Sequence, residues 1–203
     1  KRMFWDKVAG IYDFIETTYN GKVYRALGQK VAEEINAEDL VLECACGTGA
    51  ISRFIAPKCK ALIATDYAVG MLKQTARHCK GFPNIKIKRA DLTKLKFRDN
   101  CFDKVIAGNI LHLLEDPLAG VKELERVCKP GGKIILPTYI NREGSTNRMA
   151  IQLLTLAGVD FKRQFNLVTY QQFFETAGYQ GAAYSIVDGK MPCAIAVITK
   201  RCV

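Results

Sequence analysis

Three carboxylates and one histidine occupy comparable places in this chain, each within or just beyond a short apolar run. Glu43 lies in the first run, 39–45, which ends on Cys46-Gly47-Thr48-Gly49. Asp66 closes the second run, Asp91 follows the third, and His112 follows the fourth by way of Gly108-Asn109-Ile110-Leu111. Two glycines flanking one residue let the backbone turn tightly and let a ligand approach with no Cβ in the way. A carboxylate at Asp66, seventeen residues after Gly49, is placed to accept hydrogen bonds from both hydroxyls of a ribose. It is equally suited to capping the helix that follows. Asp91 could accept from an adenine amino group, with Leu92 against the ring, or cap its own loop, or pair with Arg89. His112 and Tyr139 are the groups past the fourth and fifth runs that could move a proton, with half-buried packing as the plainer role of each. His78, between Arg77 and Cys79, reads as a surface group.

These residues need a scaffold that brings the ends of several strands together. The chain alternates strand-like and helix-like segments. Strands are expected at 39–45, 60–65, 84–89, 101–107 and 133–138, and helices at 4–15, 21–35, 50–56, 69–79 and 117–127. Pro130-Gly131-Gly132 separates the last of these helices from the fifth strand. Beyond it, 146–158 and 169–177 read as helices, the second with Thr169 as N-cap and Gly178 as stop. Strands near 181–187 and 193–199 meet at a turn around Asp188-Gly189, a link too short for a parallel crossover, so they form an antiparallel hairpin. The expected fold is α/β: one domain over 1–203, a mostly parallel seven-stranded sheet with helices on both faces. Ligands of such sheets bind at the carboxyl ends of the strands.

Composition agrees. The chain has 203 residues, 49 % hydrophobic and 25 % charged, the balance of a single globular domain with a real core. No uncharged run reaches the ~18 residues of a membrane span. The first residues carry no apolar run with a small-residue cleavage site, so no signal peptide is expected, and a cytoplasmic location is. Eight cysteines form no CxxC pair and several sit in apolar runs, which suits buried free thiols in a reducing compartment. Cys44-x-Cys46 has no second pair to complete a metal site, so no metal is expected. The formal charge of +10 is densest at Lys86, Lys88, Arg89, Lys94, Lys96 and Arg98. Lys86 and Lys88 alternate with Ile85 and Ile87, as in an edge strand with one wet face. No stacking platform of aromatic residues interleaves with them, so nucleic acid is disfavoured.

Taken together and in order, the motifs resemble those of class I S-adenosylmethionine-dependent methyltransferases. Val41-Leu42-Glu43-x-x-Cys46-Gly47-Thr48-Gly49 is similar to their first motif, Asp66 with Met71-Leu72 to the second, and Asp91-Leu92 to the third. Phe102-Asp103-x-Val105 followed by Asn109 resembles the segment around strand four, and Lys129-Pro130-Gly131-Gly132 the turn before strand five. The opening Trp5-Asp6-x-x-Ala9-x-x-Tyr12-Asp13 resembles the start of the small-molecule branch related to quinone-biosynthesis C-methyltransferases. The match runs over roughly residues 3–140.

The resemblance implies S-adenosylmethionine as cofactor, S-adenosylhomocysteine as product, and roles residue by residue. Gly47 and Gly49 line the methionine part, with the backbone of Ala45 close by, and Glu43 attracts the ammonium. Asp66 holds the ribose, with Tyr67 and Met71 beside the adenine that Asp91 and Leu92 fix. The backbone of Asn109 reaches the methionyl ammonium. Tyr12 and Tyr19, in a helical lid over 1–38, fold over the cofactor. Residues 39–138 form the cofactor-binding core, and 139–203 the substrate cover and closing hairpin. Alanine at 45, in place of the usual glycine, affects how closely the backbone approaches the ligand. Arg142, Lys162 and Arg163 hint at an anionic acceptor. Competing readings are a nucleic-acid methyltransferase, supported by the charge but lacking the Asn/Asp-Pro-Pro-aromatic motif after strand four, and a non-catalytic cofactor-binding module. A nicotinamide oxidoreductase is disfavoured by Ser52 where a third glycine belongs.

Overall fold

In a computed structural model, residues 20–141 and 162–202 are described. The expected helices at 4–15 and 146–158, and with them Tyr12, Tyr19 and Arg142, lie outside that range. In chain order the elements are α1 (Gly21–Ala32), β1 (Leu40–Cys44), α2 (Ser52–Ile55), β2 (Ala61–Asp66), α3 (Val69–His78), β3 (Ile85–Arg89), β4 (Phe102–Ala107), α4 (Pro117–Val127), β5 (Cys128–Tyr139), α5 (Leu167–Thr176), β6 (Ala183–Val187) and β7 (Cys193–Thr199).

The strands form one sheet in the order β3-β2-β1-β4-β5-β7-β6. β1 to β5 are parallel, and β7 is antiparallel to both β5 and β6. Strand order reverses at β1 and β4, where Cys44 stands opposite Thr65 on one side and Ala107 on the other. A crevice at the carboxyl ends of these strands is the place such a sheet offers a ligand.

Both faces of the sheet are covered, and the period of two along each strand sorts the core into two layers. Leu42, Val105, Ile134 and Leu136 pack with Val121 and Leu124 of α4 and with Tyr170 and Phe174 of α5. Val41, Leu62, Ala64, Ile106 and Ile135 pack on the other side with Val23, Leu27 and Val31 of α1 and Ile55 of α2. Burial of this kind, at ~25 cal/mol per Å2 of apolar surface, is the main stabilising term.

Several local expectations change. α2 spans a single turn and continues as a 3-10 turn, Ala56–Lys58, around Pro57. α5 begins earlier than expected. Asn166 is its N-cap, accepting from the amide of Thr169, while the Thr169 hydroxyl accepts from the Asn166 amide. Thr169 therefore sits inside a capping box. Pro130-Gly131-Gly132 does not precede β5 but lies within it: Gly131 donates to the carbonyl of Lys200, and Lys200 donates to that of Gly132. The register between β4 and β5 shifts at Phe102 and Lys104, the signature of a bulge. A Cβ at Gly132 would fall 2.7 Å from the Asp103 carbonyl oxygen, so only glycine fits there.

Candidate active site

The turn after β1 departs from ordinary backbone three times: φ is 52° at Ala45, 56° at Gly47 and 84° at Gly49. Left-handed backbone is free for glycine and costs an alanine ~1–2 kcal/mol. The substitution at 45 therefore affects backbone strain as well as closeness of approach. Around the turn, three amides are tied back to the scaffold. Cys46 N–H donates to the Thr65 carbonyl, Gly49 N–H to that of Cys46, and Gly47 N–H to Asp66 Oδ2 at 2.9 Å. A Cβ built on Gly47 meets nothing within 4 Å, so the turn faces open space there.

Asp66 is shared between two turns. Its Oδ1 accepts from the amide of Ala68 at 2.9 Å while Oδ2 holds Gly47. It thus caps the approach to α3 and braces the glycine turn. Beside it, Tyr67 is half-exposed with the Arg89 guanidinium 5.2 Å above its ring. Met71 is buried. Asp91 caps the 3-10 turn Leu92–Lys94, accepting from the amide and hydroxyl of Thr93. The side chain of Leu92 is buried in the core against α4, so it is the backbone of this residue that faces the loop.

Glu43 is the most perturbed group. It is buried at the end of β1, and the Ser52 hydroxyl donates to its Oε2 at 2.5 Å. Burial pushes its carboxyl up to about 8, opposed by the Ser52 hydrogen bond and aided by the like charge of Asp66. It has no cationic partner among the described residues. At neutral pH this carboxyl therefore keeps its proton, and only a cation placed beside it would favour the charged form. Ser52, which counts against a dinucleotide fingerprint in the sequence, turns out to orient this carboxyl.

At the ends of β4 and β5 a second cluster forms. Asn109 adopts φ 53°. Its amide donates to the Pro137 carbonyl and its side-chain oxygen accepts from the Tyr139 amide at 3.0 Å. His112 is buried on the 3-10 turn Leu111–Leu113, its ring 6.4 Å from that of Tyr139. Burial lowers its pKa to about 4, so the imidazole is neutral at physiological pH. The Tyr139 hydroxyl is hydrogen-bonded to that of Tyr24 on α1, and their rings meet edge to face. Tyr24 is the residue that sequence reasoning missed here, because it sits on a helix far away in the chain and only the packing of α1 on the sheet brings it in. The amides of Lys162 and Arg163 donate to the His112 carbonyl at 3.0 and 3.4 Å. The Arg163 guanidinium donates to the Glu115 carbonyl.

Glu43, Ala45, Gly47, Gly49 and Asp66 thus lie at or just past the carboxyl ends of β1 and β2, and Asn109, His112 and Tyr139 at or past those of β4 and β5, while Asp91 and Leu92 follow β3. Asp103 lies elsewhere: its carboxylate pairs with Lys129 at 2.6 Å and accepts from the Leu40 amide at the amino ends of the strands. No cluster of three or more metal-binding side chains occurs among the described residues. No helix among them is long and apolar enough to cross a membrane.

Comparison with known proteins gives this geometry a setting. Residues 42–136 match the family model described as a methyltransferase domain. The demethylmenaquinone methyltransferase of Clavibacter sepedonicus is 32 % identical over 135 residues, 65 % of this chain and 55 % of that protein. Its counterpart in Staphylococcus saprophyticus is 31 % identical over 137 residues, 64 % of this chain and 58 % of that one. The chain therefore spans little more than half the length of these relatives. Among solved structures, a putative methyltransferase of Haloferax volcanii, in complex with the Trm112 methyltransferase activator, superposes with a TM-score of 0.78 at 16 % identity, over 100 % of this chain and 98 % of that one. A putative S-adenosylmethionine-dependent methyltransferase of Methanococcus maripaludis gives 0.71 at 18 % identity, over 100 % and 96 %.

Proposed function

We propose that this chain, which has the class I methyltransferase fold and carries a methyltransferase domain over residues 42–136, moves a methyl group from S-adenosylmethionine to a small molecule. The observation that carries the reading is the pairing of an uncompensated buried carboxyl, Glu43, with a ribose-suited carboxylate, Asp66, on either side of an open glycine turn. The residues present fit that cofactor: a cation for Glu43, a diol for Asp66, and space over Gly47. When bound, the cofactor supplies a methyl group already activated by its sulfonium. Tyr67, Met71, Asp91 and the backbone of Leu92 are assigned to the adenine end, and the backbone of Ala45 and Asn109 to the amino-acid end. Tyr12 and Tyr19 are assigned to a lid on the strength of the family resemblance.

The protein then has to align the acceptor, exclude water and accept one proton if the acceptor carries one. Positioning of this kind can supply ~7–11 kcal/mol. Tyr139 and His112 are the groups assigned to the acceptor. A neutral imidazole held at about 4 is a weak base. It needs only to take the proton once methylation has made the acceptor strongly acidic, while the Tyr139 hydroxyl, hydrogen-bonded to that of Tyr24, is assigned to aligning the acceptor. The acceptor is read as a small molecule because the relatives named above are demethylmenaquinone methyltransferases. An anionic group on it would find Lys162 and Arg163 on the segment next to His112.

Incubation with methyl-labelled cofactor and a small-molecule extract tests the reading. A labelled organic-soluble product is expected. Label found only in RNA, or in nothing while the cofactor still binds, would overturn it in favour of nucleic-acid methylation or a non-catalytic binding module.

A further inference from the structure

The glycine turn is held from behind by α3, and nothing in its motif says so. The Thr75 hydroxyl donates to the Gly47 carbonyl at 2.8 Å. Because that single proton is spent on Gly47, the Cys46 thiol must be the donor in its 3.5 Å contact with Thr75 Oγ1. Three groups thus form a directed chain, thiol to hydroxyl to carbonyl. One helical turn later, His78 Nδ1 lies 2.8 Å from the Thr48 carbonyl, so this nitrogen carries the proton. The fit is tight as well as polar: a Cβ on Gly49 would come within 3.2 Å of Thr75 Cα.

The turn needs such a hold. Its left-handed residues alternate at 45, 47 and 49, one of them an alanine, and a backbone of that kind persists only where its surroundings over-determine it. Asp66 fixes the Gly47 amide from the side of β2, and Thr75 fixes the Gly47 carbonyl from α3. The peptide groups flanking this residue are therefore clamped from two directions. We propose that Thr75 is a positioning residue for the cofactor turn, acting through the Gly47 carbonyl, with His78 as a weaker second arm on Thr48. It touches no ligand. It sets the shape of the turn before the ligand arrives, so that binding does not have to bear the cost of ordering it. This rests on the cofactor reading given above.

Two substitutions separate the hydroxyl from the space it fills. Thr75→Val keeps the volume and removes the donor, and Thr75→Ser keeps the donor and removes a methyl. Thr75→Val is expected to weaken cofactor affinity and raise its KM about five- to tenfold, the size of one net hydrogen bond, with kcat at saturation unchanged. Thr75→Ser is expected to bind as the wild type does. His78→Ala is expected to shift affinity in the same direction by less. Amide hydrogen exchange in the ligand-free protein gives a second readout: Gly47 and Gly49 should exchange at least several-fold faster in Thr75→Val than in Thr75→Ser or wild type. A folded Thr75→Val protein with wild-type affinity and wild-type exchange at both glycines would overturn the inference, as would a Thr75→Ser protein that loses as much as Thr75→Val. If the wild type binds no cofactor at all, the functional reading falls, and the exchange rates alone still decide whether Thr75 holds the turn.

Discussion

Ala45 and Glu43 place opposite demands on a few residues of chain, and each can be tested alone. Ala45 carries left-handed strain that glycine would not. Ala45→Gly should raise stability by about 1 kcal/mol, the left-handed cost less the extra freedom glycine brings to the unfolded chain. For a chain of this size, that is ~2–4 °C in Tm. An unchanged or lowered Tm would show that the turn is not strained at 45. Glu43 is raised above its ordinary 4.5, to about 8. The folded state therefore holds a proton that the unfolded state releases, and its contribution to stability is present below 4.5 and lost as pH rises towards 8. His112, lowered from 6.5 to about 4, works the other way, losing stability as pH falls from 6.5. Between pH 7 and 8 the histidine is largely neutral in both states, and the buried thiols, whose raised pKa values also make stability fall with pH, are common to wild type and variant, so the difference between the two isolates Glu43. There Glu43→Gln should flatten the fall in stability with pH. Wild type should release up to one proton on binding a cationic ligand, measured by calorimetry in two buffers of different ionisation heat, and Glu43→Gln none. Equal proton release in both proteins would remove Glu43 from the site.

Elements, more than motifs, decide which residues meet. α1 reaches the mouth because Val23, Leu27 and Val31 pack on the sheet, and its Tyr24 then lands on Tyr139. If this hydroxyl pair aligns the acceptor, Tyr139→Phe should lower kcat by about a hundredfold, the size of the loss when a reacting group is misplaced. Tyr24→Phe should lower it by less, with cofactor affinity intact in both. A fall in affinity without a fall in kcat would assign the pair to binding instead. The strands and the long helices were legible because their apolar periods differ and because glycine and proline punctuate them. What was not legible was pairing across space. Ser52 on Glu43, Thr75 on Gly47 and Asn109 on Tyr139 join residues from different elements. None of them has a local signature. Asn166, three residues ahead of Thr169, was hidden because both are good capping residues and only the backbone shows which one stands outside the helix. The Pro-Gly-Gly stretch read as a break because proline and glycine usually are one, but here a bulged strand absorbs both.

The molecule as a whole is strongly basic, and its exposed cations are unevenly placed. Lys86, Lys88 and Arg89 line the edge strand β3, Lys73, Arg77 and Lys80 lie on α3 or just past its end, and Lys94, Lys96 and Arg98 lie between β3 and β4, all of them exposed. Edge lysines guard an open strand against pairing with another chain. Two strands, β2 and β1, separate the β3 lysines from β4, whose end carries Asn109 and leads into His112. Reversing Lys86 and Lys88 to glutamate should therefore weaken any retention on RNA, more so at low salt, while small-molecule methylation stays within twofold. Loss of methylation in that variant would tie the charged edge to the acceptor. The central claim is narrower than any of this: one crevice at the ends of β1, β2 and β4 takes the nucleoside and the amino-acid parts of a single cation. Asp66 is its most exacting member, since the residue assigned to the ribose also braces Gly47 and Ala68. Calorimetric titration of S-adenosylmethionine into wild type and Asp66→Ala tests this most directly. Saturable one-to-one binding by the wild type, weakened by at least about 1–3 kcal/mol in the variant, is the expected result; equal affinity in the two proteins would contradict it.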